Sequence, residues 1–98
     1  MIDVRPDQLK EVSDIIFSRL PKARVYVFGS RILGTSKSSS DLDLAIDNAK
    51  PLSLQERTAL QESFEESSLP FRVDFHDYAT TDPHFQNIIQ QNFQLLVK

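Results

Sequence analysis

Apolar residues recur three and four apart across residues 7–20, where Leu9, Val12, Ile16 and Leu20 are separated by Lys10, Glu11, Asp14 and Arg19. This spacing predicts an amphipathic helix, ended by Pro21, that packs one face on a sheet. The period then changes. Residues 23–28 are apolar on both alternating faces, with Val25 and Val27 on one and Tyr26 and Phe28 on the other, as a central strand requires. Tyr26 and Phe28 are therefore read as core rather than as a base-stacking platform. Gly29 ends the strand, and residues 31–40 turn small and polar with Gly34, Thr35 and four serines, which predicts a loop or a short helical turn followed by a loop.

Residues 41–46 predict a second strand, with Asp41 and Asp43 on one face and Leu42, Leu44 and Ile46 in more apolar surroundings. Ser53 with Glu56 three residues later is a capping-box signature, opening a helix whose apolar side is Leu54, Leu60 and Phe64 and which gives out around Ser67 and Ser68. After Pro70, Phe71, Val73 and Phe75 alternate with Arg72, Asp74 and His76 in a third strand that carries a carboxylate at its centre. Asp82 before Pro83 marks an N-cap and first helical position, Phe85, Ile88 and Ile89 stripe the short helix that follows, and residues 93–97 can close as a strand.

Ninety-eight residues with 40% hydrophobic content build one compact domain, residues 1–98, with no room for a separate substrate domain. The net charge of -3 argues against broad binding to nucleic acid, which requires many phosphates to be neutralised by Lys and Arg. With no cysteine, disulfides and thiolate zinc sites are excluded. The first ten residues lack the layout of a signal peptide, and no apolar run approaches the roughly 20 residues that span a bilayer. A soluble cytoplasmic protein without a membrane partner is expected.

The candidate chemistry lies in the register between Gly29-Ser30 and Asp41-Leu42-Asp43, ten residues apart. Average residue usage would produce this spacing by chance in about one chain in a thousand of this length. A lone Gly-Ser is an ordinary turn; its meaning here comes from the two carboxylates on the next strand. Gly29 allows the backbone to approach a phosphate, and Ser30 adds a hydroxyl and an N–H where a helical turn can begin. Two aspartates at i and i+2 on a strand, completed by Asp74 from a neighbouring strand, are hard oxygen ligands of the kind that bridges two magnesium ions in phosphoryl and nucleotidyl transfer. Asp74 would then lie nearest the acceptor hydroxyl and could take its proton. Arg31 and Lys37 are the nearest cations to a triphosphate, whereas His76 reads as a surface or capping group and Asp77, Asp47 and Asp3 as turn chemistry.

The residues Gly29-Ser30-Arg31, Gly34-Thr35 and Ser40-Asp41-Leu42-Asp43-Leu44-Ala45-Ile46 resemble the signature of the minimal nucleotidyltransferases, small members of the DNA polymerase β superfamily often paired with a HEPN-domain protein. The resemblance covers nearly the whole chain. It implies an α+β fold of the polymerase β type, a mixed β-sheet with helices packed on one side. It implies metal binding and catalysis by Asp41, Asp43 and Asp74, and phosphate contacts from Gly29 and Ser30; Arg31 and Ser40, within the same motif, are secondary candidates for the nucleotide. It also implies transfer of AMP from ATP, with Mg2+, to a tyrosine of a HEPN ribonuclease toxin that is thereby silenced. The serine-rich loop departs from the family in being poorer in arginine than many relatives. Two other readings are a binding-only antitoxin that neutralises its partner by occlusion, and an enzyme with a small-molecule acceptor. Three aspartates on one face weigh against the first, and the lack of an additional helical region weighs against the second.

Overall fold

Each change of hydrophobic period becomes a change of element in the computed structural model, which describes residues 2–37 and 39–98. Of the serine-rich loop, Ser38 lies outside the described residues. The order is α1 (Pro6–Arg19), β1 (Arg24–Phe28), α2 (Ser30–Leu33), β2 (Leu42–Asp47), α3 (Leu54–Glu65), β3 (Val73–Asp77), a 3-10 turn (Tyr78–Thr80), α4 (Pro83–Gln91) and β4 (Gln94–Leu95). The sheet runs β3-β2-β1-β4, with β1 antiparallel to β2 and β4 and with β2 parallel to β3. A parallel pair needs a crossover, and α3 supplies it.

Val25, Val27, Leu42, Leu44, Ile46 and Val73 bury one face of the sheet against Val12 and Ile16 of α1 and Leu60 and Phe64 of α3. The other face is apolar too. Tyr26 and Ala45 meet Ile89 of α4, with Phe28, Phe85 and Phe93 packed around them. Phe85 stands edge-on to Phe28 at 5.7 Å and Phe93 edge-on to Tyr26 at 5.0 Å, so Tyr26 and Phe28 belong to this second core. The expectation of helices on one side therefore holds for α1 and α3 alone. α4 takes the other side, because Phe85 and Ile89 are four residues apart and form a stripe that needs its own apolar surface.

The helix ends follow their sequence signals. The Ser53 hydroxyl accepts from Glu56 N at 3.0 Å and the Glu56 carboxylate from Ser53 N at 2.8 Å, and the Asp82 carboxylate accepts from His84 N at 2.7 Å. Leu54, expected on the buried side of α3, is instead exposed. At 3.6 residues per turn it lies about 120° around the helix from Leu60, and Leu52 in the preceding loop takes the buried position. Asp77 does more than end a strand: its Oδ2 accepts from Leu52 N at 2.9 Å and ties β3 to the entry of α3.

The segment between α2 and β2 is closed from within. The Arg31 guanidinium, only 6% exposed, donates to Ser40 O through Nη2 at 2.7 Å and Nε at 3.2 Å, and to Asp3 O through Nη1 at 2.7 Å. Its Cζ lies 4.5 Å from the centre of the Phe71 ring. A planar fork with donors along two edges suits this joint, which a lysine ammonium cannot reproduce. Arg31→Ala leaves those carbonyls without a charged donor and opens a void, at a cost of about 2–4 kcal/mol in urea denaturation. Arg31→Lys should recover less than half of that loss, and full recovery would show that charge alone suffices.

Candidate active site

Strand register assembles the site. Phe28 pairs with Asp43 across β1 and β2, and Asp43 pairs with Asp74 across β2 and β3, so the end of β1, Asp43 and Asp74 form one row across the sheet. Asp41 lies exposed just before β2, which starts at Leu42 rather than at Asp41. Alternation carries Asp43 to the face of Ala45, and Asp74 to the face of His76.

Gly29 follows β1 with φ 83° and ψ -157°, a conformation that L side chains rarely adopt. Space forbids a side chain as well. A Cβ added there would lie 3.1 Å from Asp43 Cγ and closer still to its Oδ2. Two independent constraints thus require glycine where the backbone passes the carboxylate. Gly29 also caps α2: its carbonyl accepts from Ile32 N at 3.0 Å and Leu33 N at 3.1 Å, and a glycine offers no side chain to cap the helix start.

The Asp43 carboxyl is held above its ordinary pKa, first by burial and then by the charges of Asp74 and Asp41, with His76 acting in the opposite sense. The three aspartates expected from sequence therefore share one electrostatic field. His76, read from sequence as a surface or capping group, joins them with Nε2 3.6 Å from Asp74 Oδ2. Its ring is seated 5.9 Å from Phe28 and 5.6 Å from Phe85. The alternation Asp74-Phe75-His76 carried that signal, which a single histidine on a strand does not reveal without knowing what faces it.

Among the described residues, no three His, Asp or Glu side chains close around a cation by themselves. The donor set is open. Hard carboxylate oxygens with places left for other ligands suit Mg2+, which is commonly held by one or two carboxylates together with substrate phosphates. The Ser40 carbonyl accepts from Arg31, and its hydroxyl accepts from Lys37 N at 2.8 Å, so both residues shape the loop that delivers Asp41.

Gly29→Ala should lower unfolding free energy by about 1–3 kcal/mol, since φ is strained and Asp43 must move. An unchanged urea midpoint would overturn the close approach. A second expectation concerns pH. Because the folded pKa of Asp43 lies above its ordinary value of 3.8, its ionised form is disfavoured by folding. That penalty is absent below 3.8, grows as pH rises through the folded value and is complete above it. In EDTA, the stability of Asp43→Asn relative to the parent should therefore rise between about pH 3 and pH 7; a flat difference would contradict this account.

Residues 10–98 match the family model of the polymerase beta nucleotidyltransferases. The chain is 41% identical over 95 residues to the probable protein adenylyltransferase MntA of Haemophilus influenzae, covering 97% of this chain and 83% of that relative. A solved structure described as a toxin-antitoxin with AMP-PNP has the same fold, with a TM-score of 0.76 at 24% identity over 91% of this chain and 72% of that one. By the length of the family match and the identity to this relative, the chain belongs to the polymerase beta nucleotidyltransferase family.

Proposed function

We propose that this nucleotidyltransferase transfers AMP from ATP to a tyrosine hydroxyl of a HEPN-type ribonuclease toxin and acts in the cytoplasm as its antitoxin. The observation that carries the reading is the row of Asp43 and Asp74 on paired strands, beside a backbone position that only glycine can occupy. It is supported by the adenylyltransferase name of the relative and by the toxin-antitoxin description of the structural neighbour.

In this reading Gly29 and Ser30 receive the triphosphate: the missing Cβ of Gly29 leaves room for the Asp43 carboxylate beside the backbone, and Ser30 offers its hydroxyl and N–H. Asp41, Asp43 and Asp74 would hold Mg2+, two ions in the fullest form of the site. Bound there, the metal supplies charge neutralisation for the phosphates. Asp74 takes the proton of the acceptor hydroxyl as its oxygen bonds to the α-phosphorus, and the bond from that phosphorus to the bridging oxygen breaks to release pyrophosphate. His76 stands beside the Asp74 carboxylate, its Nε2 3.6 Å from Oδ2. Arg31 and Ser40, expected beside the nucleotide, close the loop that leads from Ser30 to Asp41.

The test is the intact mass of a HEPN-type protein encoded beside this chain after incubation with it, ATP and Mg2+. The expected result is a gain of AMP, abolished by Asp41→Ala with Asp43→Ala. Asp74→Asn should slow transfer by about 10²–10⁴-fold, the range of general-base contributions, with ATP affinity changed far less. Complex formation without any mass gain would replace this reading with neutralisation by binding alone.

A further inference from the structure

Phe75, His76 and Asp77 are consecutive on β3, yet all three line one cleft of about 750 Å³. Consecutive side chains of a strand point to opposite faces of its sheet, so a cleft that reaches all three must run along the strand's edge. β3 is the outermost strand, and among the described residues no other strand pairs with its outer edge. The walls rise on either side: Gln61 and Glu62 from α3, and Asp82 and Phe85 at the start of α4. An unpaired edge presents backbone N–H and C=O groups. The Arg72 carbonyl accepts from Leu42 N, so Val73, Phe75 and Asp77 carry theirs outward, where the Asp77 carbonyl is already taken by the Thr80 and Thr81 hydroxyls at 3.3 and 2.7 Å and the groups of Val73 and Phe75 remain for a partner.

Charged residues on a strand commonly serve only to blunt an exposed edge. That explanation does not fit Asp77, which is buried and accepts a hydrogen bond from Leu52 N. The groove is also continuous with the carboxylates, because His76 both lines it and stands 3.6 Å from Asp74. Its charge is unbalanced: Glu62, Asp77 and Asp82 oppose Arg57, with Asp74 beyond them. An occupant that carries cations is favoured.

We propose that the outer edge of β3 receives an extended segment of the acceptor protein by strand addition. A lysine or arginine next to the hydroxyl-bearing residue faces Glu62 on the α3 side, and the hydroxyl, on the alternate side with His76, is delivered to Asp74. Main-chain pairing supplies affinity, and the acidic walls supply selectivity, as in other strand-addition complexes. This inference rests on the nucleotidyl-transfer reading for the meaning of Asp74, but the docking has its own readout.

Three synthetic peptides of about nine residues, long enough to pair with one strand, are titrated into the full ¹⁵N-labelled chain. The first has a central tyrosine flanked by lysines, the second has glutamates in place of the lysines, and the third is the lysine peptide with alternate backbone nitrogens methylated. The lysine peptide should shift the amide resonances of residues 73–77 and of α3, and the other two should bind about tenfold more weakly or less. Glu62→Lys should weaken the lysine peptide about fivefold or more while MgATP affinity is unchanged. Strand addition is overturned if the lysine peptide leaves β3 unshifted at millimolar concentration, shifts another surface, or binds no better than its methylated form. MgATP titrated into the same sample reads the nucleotide site separately. Peptide docking without MgATP binding would sink the transferase reading alone, and the reverse would sink the docking alone.

Discussion

The approach of the Gly29 backbone to the Asp43 carboxylate is the constraint on which the rest of the molecule is arranged. The chain must leave β1 in a conformation open almost only to glycine, and must do so against a side chain on the neighbouring strand. The antiparallel register of β1 and β2 fixes where that meeting occurs, since Phe28 and Asp43 are partners. A slip of one residue would turn Asp43 to the opposite face, into the core formed by Leu42, Leu44 and Ile46. Hydrophobic burial on one face of β2 thereby holds a carboxylate in place on the other.

That placement has an electrostatic cost. Asp43 is partly desolvated and repelled by Asp74 and Asp41, which disfavours its charged form. The core can sustain the penalty because Leu42, Leu44, Ala45 and Ile46 around it are fully buried. In the proposed reading, a cation, or phosphates with their cation, would relieve this repulsion on binding, so the penalty in the empty site and the affinity of the filled one would share an origin.

Covering the sheet on both faces leaves the site at one end and at one edge. α1 and α3 occupy one side and α4 the other, while β4 pairs with β1 and leaves β3 outermost. Asp74, the residue assigned to the acceptor hydroxyl, thus belongs to the strand whose outer side is open. Arg31 meanwhile fastens the two ends of the loop that separates Gly29 from Asp41, with its charge satisfied by carbonyls rather than by solvent.

The sequence by itself determined the elements and the candidate register of Gly29-Ser30 with Asp41 and Asp43. Periodicity marked α1 and the first three strands, the Ser53–Glu56 pair marked a helix start, and the spacing of Gly29-Ser30 to Asp41 and Asp43 marked the site, because these are local signals carried by neighbours in the chain. Only the tertiary structure decided that Asp74 pairs with Asp43, that His76 stands beside it, and that Arg31 turns inward over Phe71. It also placed α4 on the second face and Leu54 outside the core. The physical reason is the same in each case. Alternation tells which side of a strand a residue occupies, but not which strand lies next to it, nor which helix covers it. Those depend on pairings between residues far apart in the chain, and they are settled by the packing of the whole sheet.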